Sequence, residues 1–329
     1  MSVLVTGGAG YIGSHMVWEL VQRGEKVVVL DDLSTGFEWA VAPDAELVVG
    51  DIGDRVLLNR LMRTRNVHTV LHFAGSVVVP ASVADPLGYY LNNTVKSREL
   101  IAAAVANGVS SFVFSSTAAV YGVPASMPVS EDAPLNPMSP YGASKAMSER
   151  MLADSAAAYG MRFTALRYFN VAGADPFGRT GQSTKGATHL LKAAIEAATG
   201  QRESIAVFGT DYDTADGTGV RDFIHVSDLV RAHSAALDHL RGGGESLILN
   251  CGYGRGYSVL ELLEAVQRVS GVTLDIRARA RRPGDIPVMI AAADAIRQKL
   301  DWQPRLDDLD LIVEHALAWE QKLVRRLAA

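Results

Sequence analysis

In the first half of the chain, short continuous apolar runs alternate with longer stretches whose apolar positions recur at helical spacing. The runs predict strands near 2–6, 26–30, 46–49, 69–73, 111–115 and 162–167, with helices between them. Strand and helix in strict alternation imply a doubly wound parallel sheet with helices on both faces. After Leu166-Arg167-Tyr168-Phe169-Asn170 the rhythm breaks. Residues 173–186 are rich in Gly, Pro, Asp and Thr, the composition of a loop over a site, and 209–219 repeat it. Helices near 186–199, 227–241, 258–270 and 307–324 then mix with short strands. The expected organisation is a nucleotide-binding domain over 1–171, with part of 220–251 packing back on it, and a smaller α/β substrate lobe over most of 172–329.

Composition narrows the class. At 329 residues, 48% hydrophobic and 20% charged, the chain can bury a large core. No apolar run reaches the ~18–20 residues of a membrane span, and Met1-Ser2-Val3-Leu4 enters a strand without a charged leader, so a cytoplasmic protein is expected. The single cysteine, Cys251, allows no internal disulfide and reads as a small buried filler. A net charge of −5, with Arg281-Arg282 and Arg325-Arg326 as the short basic clusters, argues against nucleic acid as a partner. The eight histidines lack metal-ligand spacing, so no metal is expected.

The chain opens with strand, glycine loop and helix in that order: Ser2–Thr6, then Gly7-Gly8-Ala9-Gly10-Tyr11-Ile12-Gly13, then a helical pattern to Gly24. Gly7 suits the tight turn, Gly10 the approach of backbone to a pyrophosphate, and Gly13 close packing of helix on strand, with the N–H groups of Tyr11 and Ile12 facing the phosphates. The fold is therefore read as Rossmann-type. Asp31 ends the second strand 18 residues beyond Gly13, where a carboxylate accepts the hydroxyls of an adenosine ribose. Asp31 and Asp32 together would repel a 2′-phosphate, which favours NAD over NADP. Asp51-Ile52 fits an adenine edge and Phe73-Ala74-Gly75 the far side of the dinucleotide; each segment is equally compatible with an ordinary strand end.

Tyr141 and Lys145, in Ser139-Pro140-Tyr141-Gly142-Ala143-Ser144-Lys145, stand four residues apart and so share one helix face. Upstream, Phe112-Val113-Phe114-Ser115-Ser116-Thr117 reads as a buried strand ending in three hydroxyls, where open α/β sheets place their ligands. A phenol titrates near pH ~10, and bringing it to ~7 takes roughly 4 kcal/mol. The lysine ammonium, helped by a positive cofactor ring, is expected to lower it.

With these residues in order, the chain resembles the extended short-chain dehydrogenase/reductase superfamily, and within it the UDP-glucose 4-epimerase family, from Val3 to roughly Trp319. The more specific segments are Phe114–Gly122, Arg167–Asn170, Asp216–Val226 and Arg281-Arg282-Pro283-Gly284-Asp285. The resemblance implies epimerisation at C4 of a UDP-hexose through a transient 4-ketose. Tyr141 would be the proton acceptor, Lys145 the residue on the nicotinamide ribose, and Thr117 the hydroxyl on the reacting oxygen. It also implies NAD contacts at Tyr11, Ile12, Asp31, Asp32, Leu33, Asp51, Ile52, Phe73, Ala74, Gly75, Asn92, Ser115, Tyr168 and Phe169. Contacts to UDP fall on Asn170, His189, Leu190, Phe208, Arg221, Arg282 and Asp285. Two planar guanidiniums suit a diphosphate, although an ion pair between Arg221 and Asp222 is an alternative.

Three positions depart from relatives. Val77 stands where some have a lysine near the cofactor phosphate, and His189 where some have asparagine. Met289 occupies the position whose size governs entry of a 2-acetamido group, and leaves N-acetylhexosamines, uronates and pentoses open. Rival readings are a 4,6-dehydratase, a decarboxylase and a non-enzymatic NAD-sensing regulator. Dehydratases place acids directly after the hydroxyl residue, whereas Ala118 and Ala119 follow Thr117 here. Helices near 86–108 and 140–160 suggest a homodimer contact.

Overall fold

The computed structural model describes residues 1–184, 186–282 and 284–328. Pro283, within the Arg281–Asp285 segment singled out above, lies outside the described residues.

The first half runs β1 (Ser2–Thr6), α1 (Tyr11–Gln22), β2 (Lys26–Asp31), β3 (Glu46–Val49), α2 (Arg55–Thr64), β4 (Val67–His72), α3 (Val79–Ala84), α4 (Pro86–Tyr89), α5 (Lys96–Ala106), β5 (Ser111–Thr117), α6 (Pro140–Tyr159) and β6 (Arg162–Tyr168). Tyr90–Val95, expected as part of one continuous helix, is a π-helical turn between α4 and α5. The second half has β7 (Asn170–Ala172), α7 (Leu190–Ala198), β8 (Ile205–Phe208), β9 (Val220–Arg221), β10 (Phe223–His225), α8 (Val226–Arg241), β11 (Leu247–Cys251), β12 (Tyr257–Ser258), α9 (Val259–Ser270), β13 (Ile276–Arg279), β14 (Val288–Met289), α10 (Asp294–Leu300) and α11 (Leu309–Ala328).

A seven-stranded parallel sheet in the order β11-β6-β5-β4-β1-β2-β3 forms the centre. Six of its strands are those the apolar runs predict. The seventh, β11, comes from beyond the break and pairs with β6 from Leu247 opposite Thr164 to Cys251 opposite Tyr168. Successive strand residues point to opposite faces. Val3, Val5, Val27, Val29, Val113 and Leu166 therefore join one core cluster, and Leu4, Val28, Leu30, Phe112, Phe114 and Ala165 the other. Cutting a fully buried side chain such as Leu4 or Phe112 to alanine would cost about 2–5 kcal/mol.

Strand order reverses between β1 and β4, and the crevice at that switch point is where open α/β sheets bind ligands. Short strands of the second half form smaller sheets, β7 with β10, β8 with β13, and β9 between β12 and β14. Helix α6, which carries Tyr141 and Lys145, starts where the Ser139 hydroxyl accepts the Gly142 N–H at 3.2 Å, with Pro140 in its first turn.

Candidate active site

The chain leaves β1 at Gly7, whose φ of 71° favours glycine. A Cβ there would stand 2.5 Å from the Ala74 amide nitrogen, and one at Gly13 would stand 2.1 Å from the Gly7 carbonyl oxygen. Glycine is thus what lets α1, the loop and the end of β4 meet. No side chain caps α1. Its ladder begins with the Ser14 N–H on the Gly10 carbonyl at 2.9 Å, so the N–H groups of Tyr11, Ile12 and Gly13 precede it at the positive end of the helix dipole. This cradle fits the pyrophosphate of NAD.

Asp31 is buried, and burial raises its pKa. One carboxylate oxygen accepts the Ala9 N–H and the other the Leu33 N–H, each at 2.9 Å. Each oxygen keeps an acceptor position for a hydroxyl. Leu33 itself has φ 59°, in the left-handed region. Asp32 is exposed and turns back on the Ser34 N–H at 2.9 Å. Asp51, expected beside an adenine, is engaged within the protein: Gly53 N–H at 2.7 Å on one oxygen and Lys96 at 2.5 Å on the other. Ile52 is buried in the core beside it.

At the switch point the Thr6 hydroxyl meets His72 Nδ1 at 2.7 Å, and His72 Nε2 meets Ser97 at 2.8 Å. Burial pulls His72 down to about 3, so the imidazole is neutral. Beyond it, Phe73 packs on His233 with ring centroids 4.8 Å apart. A Cβ on Gly75 would stand 3.6 Å from Lys145 Nζ, which brings the 73–75 segment against α6. Asn92 donates to the Ser76 hydroxyl at 2.9 Å. Asn93, which sequence reasoning missed, accepts the Ser76 N–H at 2.8 Å and donates to Ser144 at 3.1 Å, tying the same segment to α6.

Thr117, Tyr141 and Lys145 are all buried and gather where β5 ends against α6. The Thr117 hydroxyl is the hydrogen-bond partner that pulls the Tyr141 phenol down, but burial outweighs it, and the phenol lies above its ordinary value. The Lys145 ammonium donates to the Ser115 carbonyl at 3.0 Å and lies 4.8 Å over the Phe114 ring. Burial draws Lys145 down to about 8, against the pull of the Glu149 carboxylate. Tyr168 pairs with the Ser115 hydroxyl at 2.7 Å, and Phe169 packs partly buried on the core.

Behind this group lies a buried network that joins residues of the Phe114–Gly122 and Arg167–Asn170 segments to Glu149 and Asn250, which were not singled out. Glu149 accepts from Ser116 at 2.5 Å and from Arg167 at 2.7 Å; Arg167 also donates to the Tyr121 hydroxyl at 2.9 Å, which donates to Asn250 at 2.7 Å. Glu149 follows Lys145 by one helical turn, so i, i+4 spacing carried the signal; Arg167 is on β6 and opens the Arg167–Asn170 segment, but nothing in the sequence paired it with Glu149.

The expected nucleotide residues sit on second-half elements, apart from the core sheet. Arg221 donates to the carbonyls of Val220 at 2.9 Å and Pro287 at 3.3 Å, and burial lowers its pKa while Asp285 opposes that. It does not pair with Asp222. That carboxylate is buried and accepts the N–H groups of Tyr253 at 3.0 Å and Gly254 at 2.9 Å, with its pKa raised by burial to about 6. Arg282 lies 3.8 Å over the Phe208 ring. Met289 stands opposite Arg221 in the β9–β14 pair and packs with Ala118, Tyr121 and Val129. The Asn170 N–H donates to the Asp222 carbonyl at 3.0 Å. His189 occupies the N-cap position of α7, which begins at Leu190, without a side-chain bond to the helix; it is exposed, its Nδ1 3.3 Å from the Gln182 amide nitrogen.

Residues 3–252 match the model of the NAD dependent epimerase/dehydratase family. The chain is 57% identical to the UDP-glucose 4-epimerase of Azospirillum brasilense, over 98% of this chain and 92% of that one. Among solved structures, that of UDP-glucose 4-epimerase from Brucella ovis in complex with NAD is similar at TM-score 0.94 and 43% identity, over 96% of this chain and 97% of that one. The enzyme of Bifidobacterium longum in complex with NAD+ and UDP gives TM-score 0.93 and 36% identity, over 98% of each chain. No helix among the described residues is long and apolar enough to cross a membrane. With a glycine cradle that fits the dinucleotide and likeness along nearly its whole length, the chain belongs to the NAD dependent epimerase/dehydratase family and, within it, to the NAD-using UDP-glucose 4-epimerases.

Proposed function

We propose that this protein interconverts UDP-galactose and UDP-glucose, and that Tyr141, Thr117 and Lys145 carry the chemistry. Bound NAD supplies the acceptor and later the donor of hydride at C4 of the sugar. Tyr141, as phenolate, takes the C4 hydroxyl proton and returns one to the 4-ketose after it has turned over. Thr117 holds the same oxygen through its hydroxyl. Lys145 binds the nicotinamide ribose and, with the positive ring beside it, offsets the burial that otherwise keeps Tyr141 protonated. Gly7, Gly10, Gly13, the N–H groups of Tyr11 and Ile12, and Asp31 hold the dinucleotide. Arg221 and Arg282 take the diphosphate and Asp285 a uridine hydroxyl, while the sugar stays loose enough to rotate.

The observation that supports epimerisation over elimination is that, among the described residues, no free acid directly follows Thr117 or stands one turn beyond Lys145. Thr117 runs into a short 3-10 turn, Ala118–Val120, and the carboxylate one turn beyond Lys145 on α6, Glu149, is locked between Ser116 and Arg167. Elimination needs an acid beside the base; epimerisation needs Tyr141 alone.

The assembly we propose is a homodimer. Leu87, Leu91 and Val95 are exposed one turn apart, and Met147 is exposed on α6, the helices named for that contact. A cytoplasmic setting is the compartment this reading calls for. Purified protein mixed with UDP-galactose is expected to yield UDP-glucose on chromatography. Interconversion of neither that pair nor its N-acetyl analogues would overturn the reading.

A further inference from the structure

From Asp31 to Ala40 the chain crosses the glycine loop as a strap tied at several places. At its start the Asp31 carboxylate joins the Ala9 N–H of the loop to the Leu33 N–H of the strap, both at 2.9 Å. In its middle the Phe37 N–H donates to the Ala9 carbonyl at 3.0 Å. At its far end Trp39, with Phe37 packed 5.1 Å away, stacks on Trp319 of α11 at 5.9 Å and 29° between the rings, and the Arg326 guanidinium lies 4.4 Å from the Trp39 ring.

Trp319 is buried and itself fixed, its indole N–H donating to the Ser183 hydroxyl at 3.2 Å. The next residue, Thr184, reaches back to the Thr35 carbonyl at 3.4 Å. Thr180 in the same loop meets the Ser14 hydroxyl at 2.7 Å, one residue beyond Gly13. Strap, glycine loop and the segment Thr180–Thr184 thus form a closed ring of contacts beside Asp31. Within the strap, Asp32, Ser34, Thr35 and Glu38 are exposed. Its apolar hold on the rest of the molecule is therefore concentrated in its aromatic end.

We infer that Trp39 and Trp319 are positioning residues for the cofactor: by anchoring the strap across Asp31 and the glycine loop, they set how long NAD stays bound. The inference rests on the reading of Asp31 as the acid that holds the adenosine ribose. A ribose on Asp31 lies at the junction of two segments that the carboxylate itself joins, so its departure requires the strap to lift from Ala9. Cutting the far anchor lets the strap lift more often. An enzyme that oxidises and re-reduces the same substrate on one cofactor gains from such a tether, because release in mid-cycle strands the ketose.

The test measures release rather than turnover. Protein loaded with NAD is diluted, desalted after timed intervals, and the retained nucleotide extracted and quantified, for the parent, Trp39→Ala, Trp39→Phe and Asp31→Ala, each checked for a native circular dichroism spectrum. Trp39 is only partly buried, so its truncation leaves the core intact. Trp39→Ala is expected to release NAD about tenfold faster or more, with Trp39→Phe close to the parent because a ring still stacks on Trp319. Release from Trp39→Ala within twofold of the parent, while Asp31→Ala releases fast, overturns the strap. If Asp31→Ala also releases at the parental rate, the assignment of the ribose acid falls and takes the inference with it.

Discussion

The two ends of the active site are held in different ways. On the cofactor side the groups nearest the glycine loop and the switch point are fixed by backbone or by a neutral partner: Asp31 by the Ala9 and Leu33 N–H groups, His72 between Thr6 and Ser97, and α1 set against its loop by glycines. On the nucleotide side the cations rest on partners that carry no charge, Arg221 on two carbonyls and Arg282 on the face of Phe208. A guanidinium on a carbonyl or a ring exchanges readily for a diphosphate, which binds it more strongly. A cradle that only glycine permits has no such freedom. The contrast matches a catalyst that keeps one ligand through many cycles and passes the other in and out.

The comparison breaks first at Gly13. Gly13→Val pushes a side chain into the Gly7 carbonyl, and the expected result is a folded protein that binds UDP but retains no NAD and turns over at background; calorimetry with each ligand checks it. Retained NAD would show that the cradle is not built as described. The reciprocal change is Arg221→Ala. UDP affinity should fall by about a hundredfold, within the range of ~2–5 kcal/mol for losing a desolvated charged partner, while NAD retention stays at the parental level. Equal loss of both ligands would erase the division between the two ends.

Much of this was legible because it is local. A glycine loop between strand and helix, an acid at the end of β2, and Tyr141 one turn from Lys145 are read from neighbouring residues. What was missed is not local. Part of 220–251 is expected to pack back on the first domain, but only the fold shows that the strand is Leu247–Cys251 and that it lies beside β6. Glu149 and Arg167 sit on different elements and meet through packing of α6 on the sheet. The placement of the Lys145 ammonium is not local either. Spacing puts the Lys145 backbone on the right face, but burial and the Ser115 carbonyl decide where its ammonium points and what charge costs there.

A smaller effect sharpens that point. The folded value of about 8 for Lys145 lies below its ordinary 10.5, so the folded state binds fewer protons than the unfolded chain between those values. Its burial penalty is full below pH ~8 and is relieved as pH rises toward ~10.5. Nucleotide-free Lys145→Met is therefore expected to be more stable than the parent at pH ~7, by up to about 3 kcal/mol, with the gap closing by pH ~10. Denaturant titrations at the two pH values read it; a gap that does not change with pH would mean the ammonium is not destabilised by burial. The smallest expected effect is at Met289. Met289→Ala enlarges the space beside Ala118, Tyr121 and Val129, and should raise turnover of UDP-N-acetylglucosamine relative to UDP-glucose by about tenfold. An unchanged ratio would take Met289 out of substrate selection.

The central claim, that one proton-exchanging group serves both halves of the reaction, is tested most directly by Tyr141→Phe. Turnover of UDP-galactose and UDP binding are measured on the same NAD-loaded sample. The account predicts turnover lower by about two to four orders of magnitude with UDP affinity within a few-fold of the parent. Parental turnover in that variant would contradict it.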